Sequence, residues 1–172
     1  MWLMKRLVLV LALMLSLTAV SAQNYAVVNS EKIFKSITAY NEAIAQLDQL
    51  AEHYQKQVDE KFEQIETLYN NYMQRRASLS EASQKANEDN ILRLEQEATK
   101  YQESLFGTDG ELMKKRLELI QPIQKKVFAA IEEYAAAKGL DMVIDTAQNA
   151  TMLYHSAKAD HTNAIIELLK TK

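Results

Sequence analysis

Three histidines, His53, His155 and His161, are the residues best suited to proton or metal chemistry near neutral pH, and their spacing gives them little to work with. A zinc site draws three or four ligands together. His155 and His161 flank one loop but bring no third ligand with them, so solvated surface histidines are the expectation. The chain has no cysteine, which excludes thiolate ligands, thiol nucleophiles, disulfides and a lipid-anchored lipoprotein. Asp141 and Asp145 bracket a short apolar run and would form a carboxylate pair for acid–base work; as strand-end polar residues they need no such role. There is no Gly-rich phosphate loop, no Gly-Lys-Ser/Thr and no His-Glu-x-x-His. Tyr40, Tyr54, Tyr69, Tyr72 and Tyr101 would make an aromatic binding strip, but all five fall at helical seam spacing, where packing accounts for them. No catalytic site, cofactor or metal is expected.

The elements that must position everything else lie between Thr38 and Lys138. Tyr40, Ile44, Leu47, Ala51, Tyr54, Val58, Phe62, Ile65, Tyr69 and Tyr72 follow one another in steps of three and four, a narrow coiled-coil seam. The doubled step of four at Val58–Phe62 is a stutter, which relaxes the supercoil without ending the helix. Ser78-Leu79-Ser80-Glu81 supplies a capping serine with a glutamate three residues on, the start of a second helix. Its seam is Ile91, Leu94, Ala98, Tyr101, Leu105, Thr108 and Leu112, continuing through Ile120, Ile123, Val127, Ile131 and Tyr134. Two seams joined by a tight turn near Ala77–Ser80 predict an antiparallel arm about 60 Å long in its first helix at 1.5 Å per residue. Gly107 and Gly110 each weaken a helix interior by about 1 kcal/mol, so either a short break or a continuous helix is open there. Pro122 predicts a kink or a locally broken ladder.

The ends have a different character. Lys5 and Arg6 precede the apolar run Leu7–Leu15, and Val20-Ser21-Ala22 stands ahead of Gln23 as a cleavage site, so residues 1–22 are expected to be a secretory signal peptide. The run is short for a membrane span, which leaves an uncleaved anchor as the lesser alternative. Without Lys5 and Arg6 the 20 basic residues become 18 against 23 acidic ones, a net charge of −5 that argues against nucleic acid. Tyr25–Asn29 reads as a buried strand, followed by a helical turn over Glu31–Lys35. Ser36 or Thr38 is expected to cap the first long helix. Gly139 fits a left-handed helix terminus. Leu140–Asp145 and Thr151–His155 read as two further strands joined as a hairpin through 146–150. Asp160 or Thr162 is expected to cap a last helix with Ala164, Ile165, Leu168 and Leu169 inward. Three short strands leave both outer edges unpaired. A β core shared between subunits is therefore expected, with Val27, Val28, Val143, Ile144 and Leu153 in it. The fold class is mainly α with a small β part: a long antiparallel helical hairpin on a small β-stranded base.

Residues Ala26-Val27-Val28-Asn29-Ser30-Glu31-Lys32-Ile33-Phe34, Gln121-Pro122-Ile123-Gln124-Lys125-Lys126-Val127, and Glu132–Lys138 with Gly139-Leu140-Asp141-Met142-Val143-Ile144-Asp145 follow one another around this hairpin as they do in one family. Over its length after residue 22 the chain resembles the Skp/OmpH family of periplasmic chaperones. The resemblance implies one domain over 23–172, with base 23–37 and 122–172 and helical arm 38–121. It also implies a homotrimer whose arms enclose a cavity, working without ATP as a holdase for unfolded outer-membrane β-barrel proteins. Two features depart from the family. The best-known members are basic, whereas Tyr40 to Gln121 carries 10 basic and 16 acidic side chains here, a net of −6, so lipopolysaccharide or anionic membrane contact does not carry over. The second is the interruption Phe106-Gly107-Thr108-Asp109-Gly110. Apolar residues off the seams, Leu50, Leu68, Met73, Leu92, Phe106 and Met113, are the candidate client contacts. The alternative function is an exported coiled-coil scaffold of the cell envelope with no client.

Overall fold

The structure, a computed structural model, describes residues 24–147 and 151–171. The expected signal segment 1–22 and residues 148–150 of the expected link lie outside them. The elements run β1 (Tyr25–Val28), α1 (Ser30–Lys35), α2 (Thr38–Arg75), a 3-10 turn (Arg76–Ser78), α3 (Glu81–Phe106), α4 (Glu111–Lys138), β2 (Met142–Asp145) and α5 (Thr162–Lys170). They form two compact units, one from the chain's two ends, up to Lys32 and from Ala130, the other Ile33–Ala129.

In the helical unit, α2 is the backbone against which the rest folds. Its 38 residues span about 57 Å at 1.5 Å per residue. The chain then turns back. Tyr72 meets Glu88 across the turn, and farther along Tyr101 donates to Gln57 Oε1 at 2.8 Å, so the contacts nest as in an antiparallel pair. Ile65, Tyr72, Ile91 and Ala98 form one buried cluster, with Leu79 and Leu94 packed against it. Ala43, Leu47 and Ile120 form a second, joined by Tyr40, Ile44, Leu112, Leu119 and Ile123. Val58 and Leu105 are also buried. Each of the buried Val, Leu and Ile side chains contributes about 1.5–3 kcal/mol if fully buried, and this row of burial, rather than helix propensity, holds the helices together.

Two expected caps move. Ser80, not Ser78, caps α3, its Oγ accepting the Ser83 N–H at 3.3 Å, while Ser78 Oγ donates to the Arg75 carbonyl. The 3-10 turn uses up the residues that an earlier helix start would have needed. The N-cap of α2 is Ile37, with no side-chain bond; neither Ser36 nor Thr38 serves. Ser36 Oγ instead donates to the Ile33 carbonyl at 2.7 Å. The returning helix is broken at Gly107–Gly110 and unbroken through Pro122. Gly107 N–H donates to the Glu103 carbonyl at 2.8 Å, Gly110 N–H to the Gly107 carbonyl at 2.9 Å, and Lys114 N–H to the Gly110 carbonyl at 3.1 Å. A Cβ on Gly107 would stand 2.5 Å from the Glu103 carbonyl oxygen, and one on Gly110 would stand 2.7 Å from that of Leu105. Close backbone approach, not a left-handed φ, requires glycine at both. The turn also sets register. Phe106 packs edge-on to Tyr54, and an unbroken helix carrying that register forward would set Ile120 beside Tyr40. Ile120 is centred instead on Ala43 and Leu47, an offset that the four looped-out residues supply.

In the unit made by the chain ends, α4 closes on Gly139 at φ +60°, with Leu140 N–H donating to the Ala135 carbonyl and Gly139 N–H to that of Ala136. These two hydrogen bonds and the left-handed glycine terminate the helix and release β2. β1 and β2 pair in parallel, Tyr25 to Met142 through Val28 to Asp145. The hairpin expected of β2 with Thr151–His155 does not form: residues 152–156 have no regular structure. The other edge of β1 is met by the segment before α5, Val27 N–H donating to the Ala159 carbonyl and His161 N–H to the Val27 carbonyl. Helix α5 follows from His161, whose side chain makes no cap; Asp160 Oδ1 takes the Thr162 N–H at 2.9 Å from one residue farther out. Among the described residues, Ala26, Val27, Val28, Ala130, Ile165 and Leu169 are the buried apolar residues of this unit.

Candidate functional surface

The residues suited to chemistry are dispersed or used in structure. His53 lies on α2 with Nε2 3.1 Å from Gln57 Nε2. His161 packs edge-on to the Tyr134 ring at 5.6 Å, and its Nδ1 is buried without a partner. Among the described residues no group of three or more His, Cys, Asp or Glu is placed to hold a metal, and no helix is long and apolar enough to cross a membrane. Asp141 and Asp145 both tie the strands to the N-terminal segment. Asp141 Oδ2 accepts from Asn24 N–H at 2.9 Å, and Asp145 accepts from both Ser30 N–H and Ser30 Oγ. Partial burial pulls the Asp145 carboxyl upward, but the Ser30 hydroxyl and the N–H groups of Ala147, Ser30 and Thr146 together hold it below its ordinary value. Asp160 is held below its ordinary value chiefly by the Thr162 hydroxyl and N–H. These carboxylates anchor the fold.

What remains is surface along the helices. Leu68, Met73, Leu92 and Met113 are exposed, whereas Leu50 and Phe106 are half-buried, Phe106 edge-on to Tyr54. Four exposed residues were not among the expected contacts: Phe62, Tyr69, Leu117 and Phe128. The spacing places Phe62 and Tyr69 in the seam, but the structure leaves both exposed at its flank. The α2 residues buried around them are Val58, Ile65 and Tyr72, one per seven, while Phe62 is 38% and Tyr69 47% exposed. A single partner helix covers only the centre of the stripe, so the flanking position of each heptad stays in water. On α4, Met113, Leu117 and Phe128 stand four and eleven residues apart, again along one side of the helix. Leu153 and Tyr154 are 95% and 84% exposed, Val143 and Ile144 half-buried, and Val27 and Val28 buried within the single chain.

The helical surface is acidic, and many of its cations are already engaged. Lys56 pairs with Glu60, Lys85 with Asp89, Arg93 with Glu97 and Lys115 with Glu118. Lys61 lies over the Tyr101 ring at 4.8 Å. Arg76 donates to the Tyr72 hydroxyl at 3.1 Å and stands 3.7 Å from Glu88. Burial, followed by the Glu88 carboxylate, pushes the Tyr72 hydroxyl above its ordinary value, against a smaller opposing effect of Arg76.

Comparison with known proteins gives this architecture a family. A crystal structure of a candidate outer membrane chaperone (OmpH-like) from Caulobacter crescentus CB15 shares the fold at a TM-score of 0.64 and 10% identity, over 88% of this chain and 86% of that one. An uncharacterised protein of Aquifex aeolicus (strain VF5) is 28% identical over 160 residues, 92% of this chain and 93% of its own length. The family described as outer membrane protein (OmpH-like) matches residues 24–169, and the chain belongs to it.

Proposed function

We propose that the protein is a periplasmic holdase that binds unfolded outer-membrane β-barrel proteins without ATP and keeps them from aggregating in transit. Barrel strands alternate apolar and polar residues and bare their edges until they insert, so in water they associate with one another. A protein that holds them needs many weak apolar contacts on a surface that is itself soluble. The observation that carries this reading is the exposed apolar side chains, Phe62, Leu68, Tyr69, Met73, Leu92, Met113, Leu117 and Phe128, set along helices rich in carboxylates. Export by cleavage after residue 22 and assembly as a homotrimer belong to the same reading. Subunit association through the β region would cover Leu153, Tyr154, Val143 and Ile144.

The test dilutes a urea-denatured outer-membrane barrel protein into buffer with and without the purified protein and follows light scattering. The expected result is suppressed scattering at a fixed ratio of assembly to client, with no nucleotide present. Undiminished scattering, with the protein folded and oligomeric by mass measurement, would leave the envelope scaffold as the function.

A further inference from the structure

One face of α2 combines aromatic and acidic residues in a way that the buried seam does not explain. Asp59, Phe62, Glu66, Tyr69 and Met73 follow in steps of three, four, three and four, so they stack on one side of the helix, each of Asp59, Glu66 and Met73 one position past a buried residue of the seam. All five are exposed. The row has no cation within it, and Lys56, three residues before Asp59, is paired with Glu60 at 4.0 Å. Lys61 is turned to Tyr101, Arg76 at the far end is held by Tyr72 and Glu88, and on α3 Lys85 and Arg93 are paired with Asp89 and Glu97. Asp59 accepts from the neutral Gln55 amide, at 2.7 Å. The result is two aromatic rings and a thioether beside two carboxylates that no basic side chain of the row neutralises.

We infer that this face selects unfolded segments in which apolar residues are interleaved with lysine or arginine. The inference rests on the holdase reading and names the kind of client segment it prefers. The chemistry is complementary at each position. A cationic head can lie over the Phe62 or Tyr69 ring while pairing with Glu66, which stands four residues from one and three from the other. The apolar residues on either side of it then cover Phe62, Tyr69 and Met73. A segment carrying carboxylates at the same positions meets Asp59 and Glu66 as like charges. Selection against it is therefore built into the same residues.

The experiment uses three fluorescent peptides of one alternating apolar pattern, with lysine, serine or glutamate at the polar positions, and anisotropy titration with the full protein at low and physiological salt. The lysine peptide is expected to bind about tenfold more tightly than the glutamate peptide, the sum of a few exposed pairs, with serine between them. Physiological salt should narrow that gap and leave the serine peptide nearly unchanged. The Asp59→Asn, Glu66→Gln double variant, isosteric and on an exposed face, should close the gap without weakening the serine peptide. Equal binding of all three peptides, or tighter binding of the glutamate peptide, overturns the charge selection while leaving the holdase reading intact. No binding of any peptide, together with undiminished client aggregation, overturns both. A gap that survives in the double variant shows selection elsewhere and overturns the assignment to this face.

Discussion

The Tyr72 hydroxyl on α2 donates to a Glu88 carboxylate oxygen on α3, 16 residues on, while Arg76 donates to the same hydroxyl. The chain reverses direction between these residues, so this bond fastens the two helices just short of the turn. Gln84 adds to it, its side-chain amide donating to the carbonyls of Arg76 and Leu79 at 3.0 and 3.1 Å. Tyr72→Phe keeps the ring in its buried cluster and removes the bond. Hydrogen exchange should rise over residues 68–95 and stay unchanged in β1 and β2. The pH dependence has a definite sign. The folded-state value is raised above 10.0, so this contribution is complete below pH 10 and is lost as pH rises through the folded value. Absorbance titration of the Tyr72→Phe protein should lose a component that ionises above pH 10; an unchanged titration would refute the assignment.

Acid should act on the other unit. Asp145 and Asp160 are both held below the ordinary aspartate value of 3.8, so the stability they give is present above that pH and is lost as pH falls through their lower folded values. Asp145→Asn with Asp160→Asn keeps an acceptor oxygen at each site but removes the charge. The double variant should melt at a lower temperature than the parent at pH 6 and show a smaller further drop between pH 5 and pH 3. A drop equal to that of the parent would mean that other carboxylates govern acid unfolding.

The interruption of the returning helix makes a paired prediction. Deleting Gly107–Gly110 joins Phe106 to Glu111 and places Leu112 three positions after Leu105, which continues the seam of Ala98, Tyr101 and Leu105 in one helix. The deletion variant should fold with more helix by circular dichroism and melt no lower than the parent. Gly110→Ala should do the opposite, destabilising by more than about 1 kcal/mol, because its Cβ would meet the Leu105 carbonyl and the backbone would have to move. A deletion variant that fails to fold, beside a stable Gly110→Ala protein, would show that the register argument is wrong.

Most of this architecture is legible in the sequence because helical signals are long and repeated. Ten seam positions on α2 outvote any single misreading, and Gly139 after Lys138 marks a terminus that the structure realises at φ +60°. The errors fall where the signal is short or shared. Met152-Leu153-Tyr154 has strand-forming residues, but strand pairing depends on a partner edge, and the segment that reaches the sheet is Ala159–His161, on the free edge of β1 rather than on β2. Ser78 and Ser80 both suit a cap, and only the 3-10 turn between Arg76 and Ser78 decides for Ser80. Phe62 and Tyr69 were hidden for a different reason. Their spacing is that of the seam, and exposure at the flank depends on how many helices pack against α2, which periodicity does not encode.

Holding a client by many weak contacts predicts how its loss should be distributed. Two exposed rows are available: Phe62, Tyr69 and Met73 on α2, and Met113, Leu117 and Phe128 on α4. If the contacts act together, each row raises the effective concentration of client at the other, and removing both costs more affinity than the two separate losses combined. Serine at all three positions of one row should weaken suppression of aggregation several-fold in either case, with oligomer mass and helix content unchanged because these side chains lie outside the buried clusters. Serine in both rows should abolish suppression. Leu50, half-buried, should instead lower the melting temperature when replaced by serine and leave holding nearly unchanged. If replacing Leu50 removes holding while both exposed rows can be changed without effect, clients are bound by surfaces that open only when the helices part.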